Sequence, residues 1–113
     1  MQALVLMNDE QFVEASRNFA QRAIKQGGAT AGDQMKYAFR LATSRLPNDG
    51  EMQVLNDNYA EQLLFYQGNK EAATQLVSVG ESKRDEAIDV SDLAAMTMMA
   101  NLILNLDETI SKE

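Results

Sequence analysis

The sequence predicts an all-α fold, a compact bundle of about five helices that forms a single domain over residues 1–113. Apolar residues recur at steps of three and four along most of the chain, which is the spacing of one helix face. Residues that favour helix starts precede these segments, and glycine or proline follows several of them. No segment alternates between apolar and polar residues as a half-buried strand does. A chain of 113 residues with 45% hydrophobic and 24% charged residues has the size and balance of one folded domain.

The first long helix is expected from Asp9 to about Gln26. Asn8 and Asp9 are both suitable N-terminal caps, and Gln11 can close a capping box with Asn8. The Gly27-Gly28 pair ends this helix. Its predicted apolar face consists of Phe12, Ser16, Phe19, Ala20, Ala23 and Ile24.

The second long helix begins after the start signal of Thr30 with Asp33 and reaches about Arg45. Pro47 marks the break, because the residue before a proline avoids helical geometry. The predicted apolar stripe contains Met35, Ala38, Phe39 and Ala42, and it is widened by Tyr37 and Leu41.

Asn48 and Glu51 form a second capping box, which predicts the start of a third helix. This helix shows the clearest amphipathic pattern in the chain, and the Gly68-Asn69 pair ends it. Its apolar positions are Met52, Leu55, Tyr59, Leu63 and Tyr66.

A shorter helix is expected over residues 70–79, and Gly80 is its predicted C-terminal cap. Its inward residues are Ala72, Ala73, Leu76 and Val77.

A charged loop is expected over residues 81–89, followed by a last helix that Asp89 caps and that runs to about Ile110. This helix is apolar nearly all round, which predicts a position in the middle of the bundle. The apolar stretch at residues 93–106 is too short for a membrane span, which needs about 20 apolar residues.

Composition excludes several classes of chemistry. The chain has neither cysteine nor histidine. Disulfides, thiol nucleophiles, covalently attached c-type haem, Cys/His zinc sites and Ser-His-Asp triads are therefore excluded, which leaves only metals with oxygen ligands. A net charge of −7 disfavours binding to nucleic acid or an anionic membrane and favours solubility.

The N-terminus shows no signal peptide. The apolar run at residues 4–7 is too short for the apolar core of a signal and lacks a basic flank. It predicts a short helix or the end of one.

Two acidic segments are candidate cation sites. The segment over residues 85–92 supplies clustered carboxylates, but their spacing does not match the alternating pattern of a calcium loop. The favoured interpretation is a solvated loop that leads into a helix whose first turn favours negative charge. These carboxylates are those of Asp85, Glu86, Asp89 and Asp92. The segment Asn48-Asp49-Gly50-Glu51 resembles a fragment of a calcium loop, but the capping box accounts for each of its residues.

Asn101 and Asn105 lie four residues apart on the most apolar helix and are candidates for contact with a ligand or partner. The simpler interpretation is that their amides bond to a neighbouring helix or face solvent. The methionines offer a soft binding surface or, more commonly, core filling. Those considered are Met7, Met35, Met52, Met96, Met98 and Met99. The basic residues Arg40, Arg45, Lys83 and Arg84 are interpreted as surface charges.

Several segments of the chain, in order, resemble a known family. They are Gln2-Ala3-Leu4-Val5-Leu6-Met7-Asn8-Asp9, Gln11-Phe12-Val13-Glu14-Ala15, Tyr37-Ala38-Phe39-Arg40-Leu41-Ala42 with Arg45-Leu46-Pro47, Val79-Gly80-Glu81-Ser82 and Asn101-Leu102-Ile103-Leu104-Asn105-Leu106-Asp107-Glu108. Together they resemble the C-terminal end of the large planctomycete cytochrome-c-associated proteins, in the domain of unknown function numbered 1553. The family often has Asp-Pro at two helix starts where this chain has Asp9-Glu10 and Asp89-Val90, and these differences should leave the helices in place.

The resemblance implies an excised C-terminal domain of a long, multidomain, exported protein, with an extracytoplasmic or cell-envelope location. Many family members carry a c-type haem domain elsewhere. No haem ligation carries over, because this segment has no Cys-x-x-Cys-His, and the resemblance supplies no catalytic residues. No cofactor is expected in this segment.

These observations predict a non-catalytic interaction or structural module that packs on the rest of its parent or on another envelope protein. An exposed apolar patch would favour this hypothesis. The alternative is a ligand-binding or enzymatic part of a parent that acts on envelope or extracellular polymers. That function needs a concave pocket with convergent polar groups, for which the candidates are Asn101, Asn105, Tyr59 and Asp107.

Overall fold

The computed structural model describes residues 10–80 and 83–106, with side chains from residue 11 onward. Five α-helices occupy these ranges, and none of the described residues is in a strand, so the all-α prediction is confirmed. The helices are α1 (Glu10–Gln26), α2 (Ala31–Thr43), α3 (Asp49–Gln67), α4 (Lys70–Val77) and α5 (Val90–Leu104).

Helix α5 is the centre of the bundle and packs against each of the other four helices. Its middle is buried on every side, as its apolar sequence predicts. The buried residues of α5 are Ser91, Leu93, Ala94, Ala95, Met96, Thr97, Met99, Ala100, Asn101 and Ile103.

The predicted start signals of three helices are confirmed. The Thr30 hydroxyl accepts a hydrogen bond from the Asp33 amide at 3.1 Å. At the start of α3, the Asn48 side chain accepts from the Glu51 amide and the Glu51 carboxylate accepts from the Asn48 amide, which completes the capping box. The Asp89 carboxylate accepts from the first free amides of α5. Each cap pairs amides that the helix itself leaves without a partner.

Three predicted helix ends are wrong, by two residues for α2 and α4 and by six residues for α5. Helix α2 ends at Thr43 instead of near Arg45, because Ser44 takes a left-handed conformation with φ of 69°. Helix α4 ends at Val77, and its cap is Ser78. The predicted cap, Gly80, lies two residues farther on.

Gly80 has a different role. Its φ of 95° suits glycine, and an added Cβ would lie 2.3 Å from the Glu14 carboxylate. The residue therefore lets the segment after α4 pass close to α1.

The end of α5 at Leu104, with Asn105 as its cap, also corrects the prediction that this helix reaches Ile110. At this point a side chain replaces the backbone as hydrogen-bond donor, since Asn105 Nδ2 donates to the Asn101 carbonyl. The short apolar segment at residues 4–7 and the Asn8 part of the first capping box lie outside the described residues.

The predicted inward faces are mostly confirmed, with two corrections. Leu41 was expected to widen the apolar stripe of α2, but it is 44% exposed. Helix α3 is not one-sided. Leu55 and Tyr66 face the core as predicted, whereas Val54 and Leu64 are apolar residues on its exposed surface.

The methionines on the described helices serve the core. Met35, Met96 and Met99 are buried, and Met52 and Met98 are partly buried against the same cluster. The core-filling interpretation therefore holds for these five residues, and Met7 lies outside the described part.

Within residues 10–80 and 83–106, no helix has the length and apolar character required to cross a membrane.

Candidate functional site

Asn101 lies inside the bundle, where α5 packs on α1. Its side chain is buried, and its Nδ2 donates to the Ser16 hydroxyl at 3.3 Å. Ser16 is equally buried on the inward face of α1. The amide thus has an internal partner, as most buried polar groups do. In this position it joins two helices and does not reach an open surface.

Asn105 lies one turn farther along and is half-buried. Its Nδ2 donates to the Asn101 carbonyl at 2.8 Å, so it satisfies one of the last carbonyls of α5. The structure therefore brings the two asparagines together, in a bonded pair that ends the helix.

Tyr59 belongs to a different part of the molecule. It lies half-buried on α3 and faces the start of α5, where Asp89 and Asp92 lie. Burial, followed by the two carboxylates, raises the pKa of Tyr59 to about 12. Burial and the charge of Asp89 also raise the pKa of Asp92. The fourth candidate, Asp107, lies outside the described residues.

Asp85 and Asp89 of the acidic segment have different structural roles. Asp85 forms an ion pair with Lys25, and its Oδ1 accepts from the Ala87 amide. The Lys25 ammonium, followed by the Ala87 amide, lowers the pKa of Asp85. Asp89 is used as the α5 cap. Over the described ranges, no group of three or more acidic residues is arranged to hold a metal ion.

Arg17 has a structural role in the core that the sequence analysis did not predict. The side chain is only 1% exposed, and its Nη1 donates to the carbonyls of Val77 (2.8 Å) and Val79 (3.2 Å). Glu14 lies 3.9 Å from the same guanidinium. Val77 is the last residue of α4 and Val79 lies two residues beyond it, so the guanidinium sits at the negative end of the α4 dipole, where a cation is favourable. The one sequence signal is the position of Arg17 on the apolar face of α1.

An apolar groove of about 420 Å³ lies at one end of the bundle, where α3 begins and α5 ends. This groove, called the groove from here on, is lined by Phe39, Asn48, Gly50, Glu51, Val54, Leu55, Leu102 and Leu106. Its two polar side chains are already bonded, since Asn48 and Glu51 form the capping box. What the groove offers to a binding partner is therefore apolar surface.

Arg45 holds one wall of the groove in place. Its guanidinium donates to both carboxylate oxygens of Glu51, at 2.9 and 2.8 Å, and lies 5.0 Å from the centre of the Phe39 ring. This arrangement combines a bidentate ion pair with a cation–π contact. Hydrogen bonds from Arg45 and from the Asn48 amide lower the pKa of Glu51 to about 2. Of the four basic residues that the sequence assigns to the surface, Arg45 is the one with a clear structural role.

The exposed large apolar side chains of the described residues are confined to one stretch of the chain. They lie at the end of α2, in the link that follows and on α3, and none lies on α1, α4 or α5. These five residues form the α2–α3 apolar surface and are Leu41, Leu46, Val54, Leu64 and Phe65. The most exposed of them is Leu64, at 73%.

Comparison with known proteins identifies the family. A family model described as PSD1, protein of unknown function (DUF1553), matches residues 1–59, which is more than half of the 113 residues. The chain belongs to the DUF1553 family. This result agrees with the resemblance drawn from the sequence. Searches of curated proteins and of solved structures found no match.

The match places part of the candidate site inside the DUF1553 region. Helices α1 and α2 and the first half of α3 lie within residues 1–59, including the groove residues Phe39 to Leu55. The other wall of the groove, formed by Leu102 and Leu106, comes from the part of the chain beyond the match. The groove of this DUF1553 chain therefore exists only when α5 folds against the matched region.

Proposed function

We propose that this DUF1553 chain is the non-catalytic, C-terminal interaction module of a larger envelope-associated protein, and that the α2–α3 apolar surface packs against the rest of that parent. The observation that carries the proposal is the confinement of the exposed large apolar side chains to residues 41–65. Exposed large apolar side chains that are concentrated in one part of a small domain, here α2, α3 and the link between them, are typical of a surface that another protein covers.

The two-sided character of α3 supports this assignment. Leu55 and Tyr66 already attach the helix to the core. Leu64 and Phe65 directly precede Tyr66 near the end of α3, yet they remain 73% and 52% exposed. These two side chains therefore add exposed apolar surface outside the core-facing side of α3, on a helix whose other exposed residues include polar ones such as Glu61. A partner on the outer side of α3 would supply the missing contact.

The alternative, a ligand-binding or enzymatic part that acts on polymers, has less support. Polymers such as polysaccharides are recognised by several polar groups that converge on one cleft. Here Asn101 bonds to Ser16, Asn105 bonds to its own helix, and Tyr59 lies on another helix. The groove is concave, but its accessible lining is apolar. The envelope location and the larger parent chain are part of this proposal and are supported by the family resemblance.

The test is a calorimetric titration of this chain with the rest of its parent. We expect micromolar or tighter binding with a negative heat-capacity change, because apolar surface is buried. Replacing Leu64 and Phe65 together by serine should weaken binding at least tenfold.

The matched control is the double substitution of Glu71 and Gln75 by serine, on the exposed side of α4. It should leave the affinity within about twofold, as expected for residues outside an interface. An unchanged affinity for the Leu64 and Phe65 variant would refute the proposed surface. Failure of the wild-type chain to bind its parent would argue for a different envelope partner.

A further inference from the structure

The groove lies at the end of the bundle where α1 begins. Asp85, just before α5, contacts the second half of α1 through Gln21 and Lys25. Near the other end of α5, Asn101 contacts Ser16 in the first half of α1. The two helices are therefore antiparallel, and the start of α1 lies beside the end of α5. Leu102 and Leu106, at that end of α5, form one wall of the groove.

Residues 1–9 are chemically suited to an apolar groove. They include Leu4, Val5, Leu6 and Met7 in an unbroken run. The opposite chain end, residues 107–113, reads Asp-Glu-Thr-Ile-Ser-Lys-Glu, in which Ile110 is the single large apolar residue. Of the two chain ends outside the described part, only the N-terminal one carries enough contiguous apolar surface to match the groove.

The distance also permits the contact. Leu6 is four residues before Glu10, so an extended chain can carry it up to roughly 13 Å from the start of α1. Neighbouring packed helices are separated by about 8–10 Å. A segment that leaves α1 can therefore cross the end of α5 and reach the space between α5 and α3.

We propose that Leu4, Val5, Leu6 and Met7 of this same chain occupy the groove and cover the ends of α3 and α5. The groove is then an internal docking site that shares Val54 with the α2–α3 apolar surface but does not include Leu64 or Phe65. The folded unit consequently includes residues 4–7, so a fragment that begins at Glu10 lacks part of its own core.

The direct test uses the wild-type chain and needs no variant. In a methyl-labelled sample, nuclear Overhauser contacts should join the methyl groups of Leu4, Val5 and Leu6 to the Phe39 ring and to the methyl groups of Leu102. Absence of these contacts in the folded chain would overturn the proposal. Contacts that appear only between differently labelled chains would also overturn it, because the occupant would then be a second copy.

A matched pair of variants provides a second readout. Leu6→Asp should lower the melting temperature by roughly 5–10 °C, since it places a charge against apolar surface. Ile110→Asp makes a similar change at the other chain end and should shift the melting temperature by no more than about 2 °C. Equal effects of the two variants would count against the proposal. This result does not depend on the proposed function, because neither variant alters Leu64 or Phe65.

Discussion

Arg17 shows how one side chain can attach two helices. Its side chain extends from α1 into the bundle and donates to the carbonyls of Val77, the last residue of α4, and of Val79 beyond it, while Glu14 provides a nearby opposite charge. A buried guanidinium is tolerated when its donors meet several acceptors. Arg17 therefore acts as a structural cross-link between sequence positions that lie about sixty residues apart.

We predict that Arg17→Ala destabilises the chain by about 3–5 kcal/mol, because it leaves buried carbonyls without their donor. Urea denaturation followed by circular dichroism measures this effect. Arg22→Ala, which removes the same charge from the exposed side of α1, should cost no more than about 0.5 kcal/mol. Similar losses for both variants would show that the charge, and not the bonds to the carbonyls, matters.

Glu51 predicts a dependence of stability on acid. Its folded-state pKa of about 2 lies below the ordinary value of 4.5, so the carboxylate stabilises the fold above pH 4.5. This contribution is lost as the pH falls from about 4.5 to about 2, where the folded state also takes up the proton. The denaturation midpoint of Glu51→Gln should therefore differ most from that of wild type above pH 5 and converge with it near pH 2.

Glu61→Gln makes the same change on the exposed side of α3 and controls for the loss of one charge. A difference between Glu51→Gln and wild type that stays constant from pH 6 to pH 2 would contradict the assignment of the shift to Arg45 and the capping box.

The space around Gly27 and Gly32 shows where the elements of the bundle approach one another closely. An added Cβ at Gly27 would lie 2.6 Å from the Ala23 carbonyl oxygen and 2.8 Å from the Gln34 Cα. Both are backbone atoms that cannot move aside easily. At Gly32, in the first turn of α2, the nearest contact of the same Cβ is an ordinary 3.6 Å. The close approach of α1 to α2 thus requires glycine at one position but not at the other.

We predict opposite signs for the same substitution at these two sites. Gly32→Ala should stabilise the chain by about 0.5–1 kcal/mol, because alanine has the higher helix propensity and loses less backbone entropy. Gly27→Ala should destabilise it by about 1–3 kcal/mol through overpacking. Thermal unfolding of both variants checks the pair, and a gain in stability for Gly27→Ala would show that the two helices can separate without cost.

At the scale of the whole molecule, α5 makes the bundle one cooperative unit. It contacts every other helix, so none of them keeps its full set of partners when α5 leaves. Small single domains built in this way usually unfold in one step. The helical signal and the tyrosine fluorescence should therefore change at the same temperature.

Leu93→Ala tests the central position of α5. Leu93 is fully buried, so its truncation should cost about 2–5 kcal/mol and lower both transitions together. Leu64→Ala, the same substitution at a side chain that is 73% exposed, should change stability by no more than about 0.5 kcal/mol in the isolated chain. Separate transitions in Leu93→Ala would indicate that part of the bundle folds without α5.

The sequence by itself determined the helical class, the approximate order of the elements and three helix starts. These features depend on local physics, since a capping side chain such as Asn48 or Asp89 bonds amides only a few residues away. The apolar pattern of residues 93–103 likewise sufficed to place α5 in the centre, because a helix without a polar side has to be covered.

Tertiary packing decided the rest. The end of α4, the burial of Arg17 and the path of the chain at Gly80 each depend on contacts between α1 and the segment after α4, which are distant in sequence. The sequence also did not identify the hydrogen-bond partner of Asn101, because many hydroxyl and carbonyl groups could accept from it. The packing of α1 on α5 places the Ser16 hydroxyl beside it. The groove arose in the same way, from Phe39 and Leu106, which are distant in sequence. Long-range contacts of this kind leave no periodic trace in the sequence, because they depend on how whole helices are placed and not on the spacing of residues along one of them.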